Sequence, residues 1–171
     1  ELLAAFALTE PHAGSDAAAI QTTAQKRGDR YVLNGTKCFI TAGRSAELAM
    51  VLAVTDPHAG KRGISCFLTR TDAPGYVVTR EEDKLGHRSN DTCEIGLENL
   101  EIPADDLLGN EGDGLRIALA SLDNGRIGVA AQSVGVAQAA FYPRVTLLGT
   151  AGVNFIMGVP GADDVIDRKS T

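Results

Sequence analysis

With 171 residues, 44% of them hydrophobic and 22% charged, no Trp, 19 Gly and 6 Pro, the chain has an ordinary globular composition; wholesale disorder, collagen-like repeats and a disulfide scaffold are excluded. A formal net charge of −6 opposes binding to nucleic-acid phosphates, and no unbroken apolar run reaches the roughly 18 residues of a membrane span. Cys38, Cys66 and Cys93 are odd in number and widely spaced, which fits neither a metal site nor a secreted framework and points to a reducing compartment. The chain starts on Glu1 without a signal-peptide pattern and reads as a piece of a longer protein.

From Leu2 to about Ile102 the pattern is one of short strands with turn punctuation. Thr22 to Lys26 and Tyr31 to Leu33 flank Arg27-Gly28-Asp29-Arg30, a tight polar turn whose adhesion-like tripeptide is better explained by the hairpin. Asn34-Gly35 reads as a second hairpin signal, because both residues tolerate the positive φ of primed turns. Thr36 to Thr41, Leu48 to Val54, Ile64 to Thr69, Tyr76 to Thr79 and Cys93 to Leu97 follow as strands, with Cys66 and Cys93 as small core residues. Glu81-Glu82-Asp83 reads as a solvated turn, and the scattered His12, His58 and His87 lack metal-ligand spacing. The fold class expected is mainly β, a barrel or sandwich of short antiparallel strands, with a C-terminal helix.

That helix runs from about Leu115 to Phe141, with Leu115, Ala118, Leu119, Leu122, Val129, Val136 and Ala140 on one apolar stripe. Gly125, Gly128 and Gly135 cost helix propensity, which close approach of another helix or a ligand would offset. Tyr142-Pro143 interrupts the helix. Three segments result: residues 1–110 as a β-domain, 111–141 as the start of a helical domain, and 142–171 as a divergent Gly-rich tail.

Two stretches carry candidate chemistry. In Leu8-Thr9-Glu10-Pro11-His12-Ala13-Gly14-Ser15-Asp16, Thr9 and Ser15 offer hydroxyls and Gly14 permits close backbone approach by a phosphate, although a surface turn with incidental hydroxyls has the same composition. In Lys37-Cys38-Phe39-Ile40-Thr41, the aromatic at 39 and the hydroxyl at 41 project to one side of a strand. They suit a flat cofactor ring, or else a core Phe beside a strand Thr.

The order of these motifs resembles the acyl-CoA dehydrogenase family. Leu8 to Asp16, Asn34-Gly35-Thr36-Lys37 and Phe39-Ile40-Thr41 are similar to its middle β-domain, and Lys84 to Thr92 to its next loop. Asn99 to Pro103 and Gly109 to Gly114 resemble the exit from that domain. Leu122 to Ala130, running on to Gln138, resembles the first helix of the C-terminal domain of short-chain and related bacterial members.

The resemblance implies FAD as cofactor, with Thr9 at the pyrimidine edge, Gly14 and Ser15 at the pyrophosphate, Phe39 against the flavin face where the family usually has Trp, and Thr41 near N5. It implies acyl-CoA as substrate, with Ser15, Thr92, Asp123 and Arg126 on the substrate side, and an electron-transferring flavoprotein as acceptor. The chemistry implied is α,β-dehydrogenation of the thioester, in which a carboxylate removes the α-proton. Some members carry that base at the position of Gly125, which cannot serve, so no catalytic base is expected in this chain. Weak FAD binding or none, and no turnover, are expected of the isolated chain; the alternative readings are a non-catalytic binding module with the same β-fold and a fusion carrying a lyase segment. The resemblance also implies a homo-oligomer, in the cytoplasm of a bacterium or the mitochondrial matrix of a eukaryote. Residues 151–165 do not fit this family and are similar to a short stretch of the ethanolamine ammonia-lyase large subunit; a fusion, a frameshifted reading or a junction near Phe141 would account for them, as would a Gly-rich tail of coincidental likeness.

Overall fold

Alternating apolar residues along seven strands build a curled open sheet in the computed structural model, which describes residues 2–141, 145–150 and 153–158. The strands are β1 (Ala4–Ala7), β2 (Thr23–Arg27), β3 (Arg30–Thr41), β4 (Leu48–Val54), β5 (Ile64–Arg70), β6 (Tyr76–Glu81) and β7 (Thr92–Pro103). Their order is β1-β4-β2-β3-β7-β6, with β5 on the other edge of β4. β1 pairs in parallel with residues 48–51 of β4, and Thr23 of β2 takes the same edge further on at Val54. Between β1 and β2 the chain leaves the sheet for fifteen residues, and that excursion, residues 8–22, carries the candidate site.

The concave face is the core. Ala49, Val51 and Ala53 from β4, Tyr31 and Leu33 from β3, and Cys93, Ile95 and Leu97 from β7 point into it at a spacing of two. Phe67 of β5 is fully buried there, its ring 4.9 Å from that of Tyr31. Cys66 and Cys93 are buried free thiols, as their apolar surroundings suggest; burial pushes each up to about 11, helped at Cys93 by the neighbouring Asp91 carboxylate. The segment after β7 closes back on the sheet: Leu108 N donates to Cys66 O (2.8 Å) and Gly112 N to Ser65 Oγ (2.9 Å), while the Tyr31 hydroxyl donates to Glu111.

Arg27-Gly28-Asp29-Arg30 is the expected two-residue hairpin, with Arg27 opposite Arg30 and Gly28 at φ 64°. Asn34-Gly35 is not a hairpin. β3 runs straight through it, because β7 accommodates the irregularity: Glu98 and Asn99 together oppose Asn34, and Asn99 adopts φ 52°. The Asn34 side chain closes this bulge by accepting from Asn99 N (2.8 Å) and donating to Asn99 Oδ1 (3.3 Å). β7 therefore continues to Pro103, six residues beyond the expected end at Leu97, and its core-facing positions switch from odd numbers to Leu100 and Ile102.

Gly35 serves a close crossing instead of a turn. A Cβ there would stand 2.8 Å from the Thr22 Cα and 2.4 Å from its Oγ1. Gly35→Ala is expected to lower stability by about 1–3 kcal/mol, read as a lower urea midpoint at unchanged slope.

Helix α1 (Gly114–Phe141) starts behind Asp113, which accepts Ile117 N on its backbone oxygen (3.0 Å) and pairs with Arg116 (3.2 Å). Ala118 is fully buried, and Leu115 and Leu122 are half-buried, but Ile127, Val129, Val134 and Val136 are exposed. Ile127 and Val134 lie seven apart on a second line, so the helix is apolar on more than one face. Nothing lies within 4 Å of a Cβ placed at Gly125, Gly128 or Gly135.

Glu1–Asp83 with Asn90–Ala120 form one compact unit, and Lys84–Ser89 with Ser121–Thr171 a second. In the second, β8 (Val145–Thr150) and β9 (Val153–Gly158) pair as an antiparallel hairpin. Apart from β9, the lyase-like stretch 151–165 lies outside the described residues, as do Tyr142 and Pro143. Among the described residues no helix is long and apolar enough to cross a membrane, and no group of three or more His, Cys, Asp or Glu side chains is placed to hold a metal ion.

Candidate functional site

The excursion between β1 and β2 is held against β3 by the backbone first. Cys38 N donates to Thr9 O (2.8 Å), which seats Thr9 beside the strand that carries Phe39. Glu10 and Ala13 then exchange both backbone hydrogen bonds (3.0 and 3.1 Å) around Pro11-His12, a turn type that suits Pro at its second position. Gly14, Ser15 and Asp16 emerge exposed, and a Cβ at Gly14 would meet nothing within 4 Å. Asp16 Oδ1 accepts Ala18 N (3.2 Å) and starts a short 3-10 turn that returns the chain to buried Ile20.

Beneath this loop lies a buried ion pair. Lys37 Nζ stands 2.7 Å from Glu10 Oε1, with the two side chains 0% and 3% exposed. Lys37 also donates to Leu8 O (3.1 Å), and the Glu10 carboxylate accepts the Gln21 and Thr22 amides (2.6 and 3.0 Å). Burial pushes the Glu10 carboxyl up, but the charge and hydrogen bond of Lys37 and the amide donors outweigh it and hold the group below the ordinary carboxylate range. Burial pushes Lys37 down, against the opposing pull of Glu10.

One residue past Lys37 the strand bulges. Cys38 and Phe39 together oppose Glu94 between the pairs Lys37–Ile95 and Ile40–Cys93. Phe39 takes φ 57°, a left-handed conformation that costs a branched or bulky residue free energy, and the residue is 64% exposed. Ile40 returns to the core, and Thr41 is exposed on the same side as Phe39. After Thr41 the chain turns at Ala42 (φ 57°), and Asp91 ties the turn down: its backbone oxygen accepts Ala42 N (2.9 Å) and its carboxylate accepts Arg44 N (2.8 Å) and the Ser45 hydroxyl (2.5 Å). Thr92 follows, directly opposite Thr41.

An exposed aromatic in a left-handed bulge adds little packing and carries a backbone cost. Phe39→Gly is expected to leave the unfolding free energy within about 1 kcal/mol of the parent, since the lost ring is solvent-facing and glycine suits the backbone. Thermal and urea unfolding measure this.

Thr9, Phe39, Thr41 and Thr92 are thus brought together at one end of β3 and β7, with Gly14 and Ser15 on the loop that leaves from it. Asp123 and Arg126 belong to the second unit, where they share a helix face 3.9 Å apart and are each 74% exposed. The Glu10–Lys37 pair and the Asp91 brace were not singled out from the sequence. A Lys at a core-facing strand position, and an acidic residue inside an otherwise apolar loop anchor, were the signals available. Glu81-Glu82-Asp83 is not simply a solvated turn: Glu81 pairs with Arg44 (2.7 Å) and Glu82 with Arg80 (2.6 Å).

Comparison with known proteins follows the same lines. Residues 5–100 match the family "Acyl-CoA dehydrogenase, middle domain". An acyl-CoA dehydrogenase of Bacillus subtilis is 50% identical over 138 residues, 81% of this chain and 36% of that protein. The structure of butyryl-CoA dehydrogenase from Megasphaera elsdenii superposes with a TM-score of 0.79 at 42% identity, covering 87% of this chain and 41% of that one. A chain in the structure of the electron transferring flavoprotein of Acidaminococcus fermentans gives 0.78 at 49% identity, covering 80% and 36%. The chain therefore spans about a third of the length of the curated relatives it matches. With its mainly β fold, its bulged β3 and its loop excursion between β1 and β2, the chain belongs to the acyl-CoA dehydrogenase family.

Proposed function

We propose that this chain supplies the flavin-facing surface of an FAD-dependent acyl-CoA dehydrogenase. The observation that carries the reading is Phe39, held exposed in a left-handed bulge between the loop of Thr9 and the pair Thr41–Thr92. The residues suit the group. A bare aromatic face with hydroxyls on either side matches a flat heterocycle with polar edges, and the open space over Gly14 leaves room for a pyrophosphate beside Ser15.

Bound FAD supplies the two-electron chemistry that desaturates the α and β carbons of the thioester. This chain's residues position and exclude. Phe39 packs one ring face and keeps water from it. Thr41 offers a hydroxyl to the reactive edge, Thr9 a hydroxyl and its neighbouring backbone to the pyrimidine edge, and Ser15 a donor to the phosphates. Ser15, Thr92, Asp123 and Arg126 are assigned to the acyl-CoA, Asp123 and Arg126 because their helix face is open to a polar ligand. The α-proton is removed by a carboxylate outside this chain, since glycine stands at position 125. An electron-transferring flavoprotein is the acceptor, and the assembled enzyme is a homo-oligomer.

Chemical-shift mapping with FAD tests the reading even if binding is weak. Amide shifts concentrated at Thr9, Gly14, Ser15 and Cys38 to Thr41 support it. Shifts concentrated elsewhere overturn it.

A further inference from the structure

Two separate segments make the proposed flavin surface; the Cys38 N–Thr9 O hydrogen bond joins their backbones, and one buried ion pair joins their side chains. Thr9, Gly14 and Ser15 lie on the excursion 8–22; Phe39 and Thr41 lie on β3. The side chains that join the segments beneath the surface are Glu10 and Lys37, one residue from Thr9 and two from Phe39.

We infer that Glu10 and Lys37 are positioning residues, whose buried ion pair fixes the loop carrying Thr9 and Ser15 at a set register against the bulge carrying Phe39. The inference rests on the functional reading above for its purpose, but its geometry stands on its own. Lys37 Nζ reaches both Leu8 O and Glu10 Oε1, so the start of the loop cannot slide along β3 without stranding a charge (3.1 and 2.7 Å). Glu10 holds the far end too, through the Gln21 and Thr22 amides, and Thr22 O accepts Val54 N of β4 (2.7 Å). One carboxylate thereby ties both ends of a fifteen-residue excursion to two strands. A hydrophobic pair of similar volume would pack as well, but it would accept no amides and set no register.

The bulge supplies the other half of the device. The ion pair ends at Lys37, and the bulge that follows leaves Phe39 exposed.

Amide hydrogen exchange on the intact chain is the test, with thermal unfolding and FAD shift mapping beside it. In the parent, the Gln21, Thr22 and Cys38 amides are expected to exchange as slowly as the β3–β7 ladder; exchange at free-loop rates there overturns the inference without any variant. The double variant Glu10→Gln with Lys37→Met removes both charges, and its melting is expected near that of the parent. Its Gln21, Thr22 and Cys38 amides are expected to exchange at least about tenfold faster relative to the ladder. FAD shifts at Thr9 and Ser15 are expected to fade while those at Phe39 and Thr41 persist. Parent-like protection at the three amides in the double variant overturns the inference. If FAD shifts in the parent concentrate elsewhere, the functional reading falls, and the exchange rates still decide the positioning role.

Discussion

Lys37→Met is expected to destabilise the chain by about 3–5 kcal/mol at neutral pH, a loss measured by urea unfolding. The size follows from what the substitution leaves behind. Glu10 stays 3% exposed with two amide donors and no cation, so its desolvation is no longer offset. The pH dependence separates this from a simple packing defect. In the parent the folded Glu10 carboxyl titrates below its unfolded value; its contribution is therefore complete above the ordinary carboxylate range and is lost as pH falls through the folded value. Without Lys37, burial dominates and the folded carboxyl titrates above the unfolded value, so the variant gains relative stability as pH falls. The gap between parent and variant is expected to close on acidification. A gap that stays constant from pH 7 to the onset of acid unfolding would assign the loss to packing.

Phe67→Ala is expected to cost about 3–5 kcal/mol, seen as a lower midpoint in thermal and urea unfolding. Phe67 is fully buried, stacks at a tilt on Tyr31, and faces Val51 across β4 and β5. Its backbone bridges to Leu107, where the segment leading to α1 covers the edge of β5. A cavity there removes contacts from three strands and from that cover at once, and the β-ladder around it has little freedom to collapse. Phe39, on the same sheet, makes the opposite case: nearly two thirds of its surface is exposed, and its removal is expected to leave stability almost untouched. A large loss at position 39 would mean that the ring packs against the protein rather than awaiting a ligand.

Much of this molecule is legible in one dimension because its determinants are local. The strand at Leu48–Val54 and the helix near Leu115–Phe141 follow from period and punctuation, and Gly28 marks its hairpin because left-handed backbone at a two-residue turn favours glycine. The spaced motifs around Thr9, Phe39 and Thr41 were enough to assign a family. Asn34-Gly35 misled because the same dipeptide serves a turn or a close crossing. The partner strand chose between them, by bulging at Asn99 and closing the bulge on Asn34, while Thr22 crosses where a Cβ would stand. In the same way, the role of Lys37 emerges only when its partner 27 residues earlier is placed beside it, with both side chains buried. Propensity and pattern are properties of neighbours in sequence. Register, burial of a charge and the strain at Phe39 depend on which segment lies opposite, and only the folded sheet settles that.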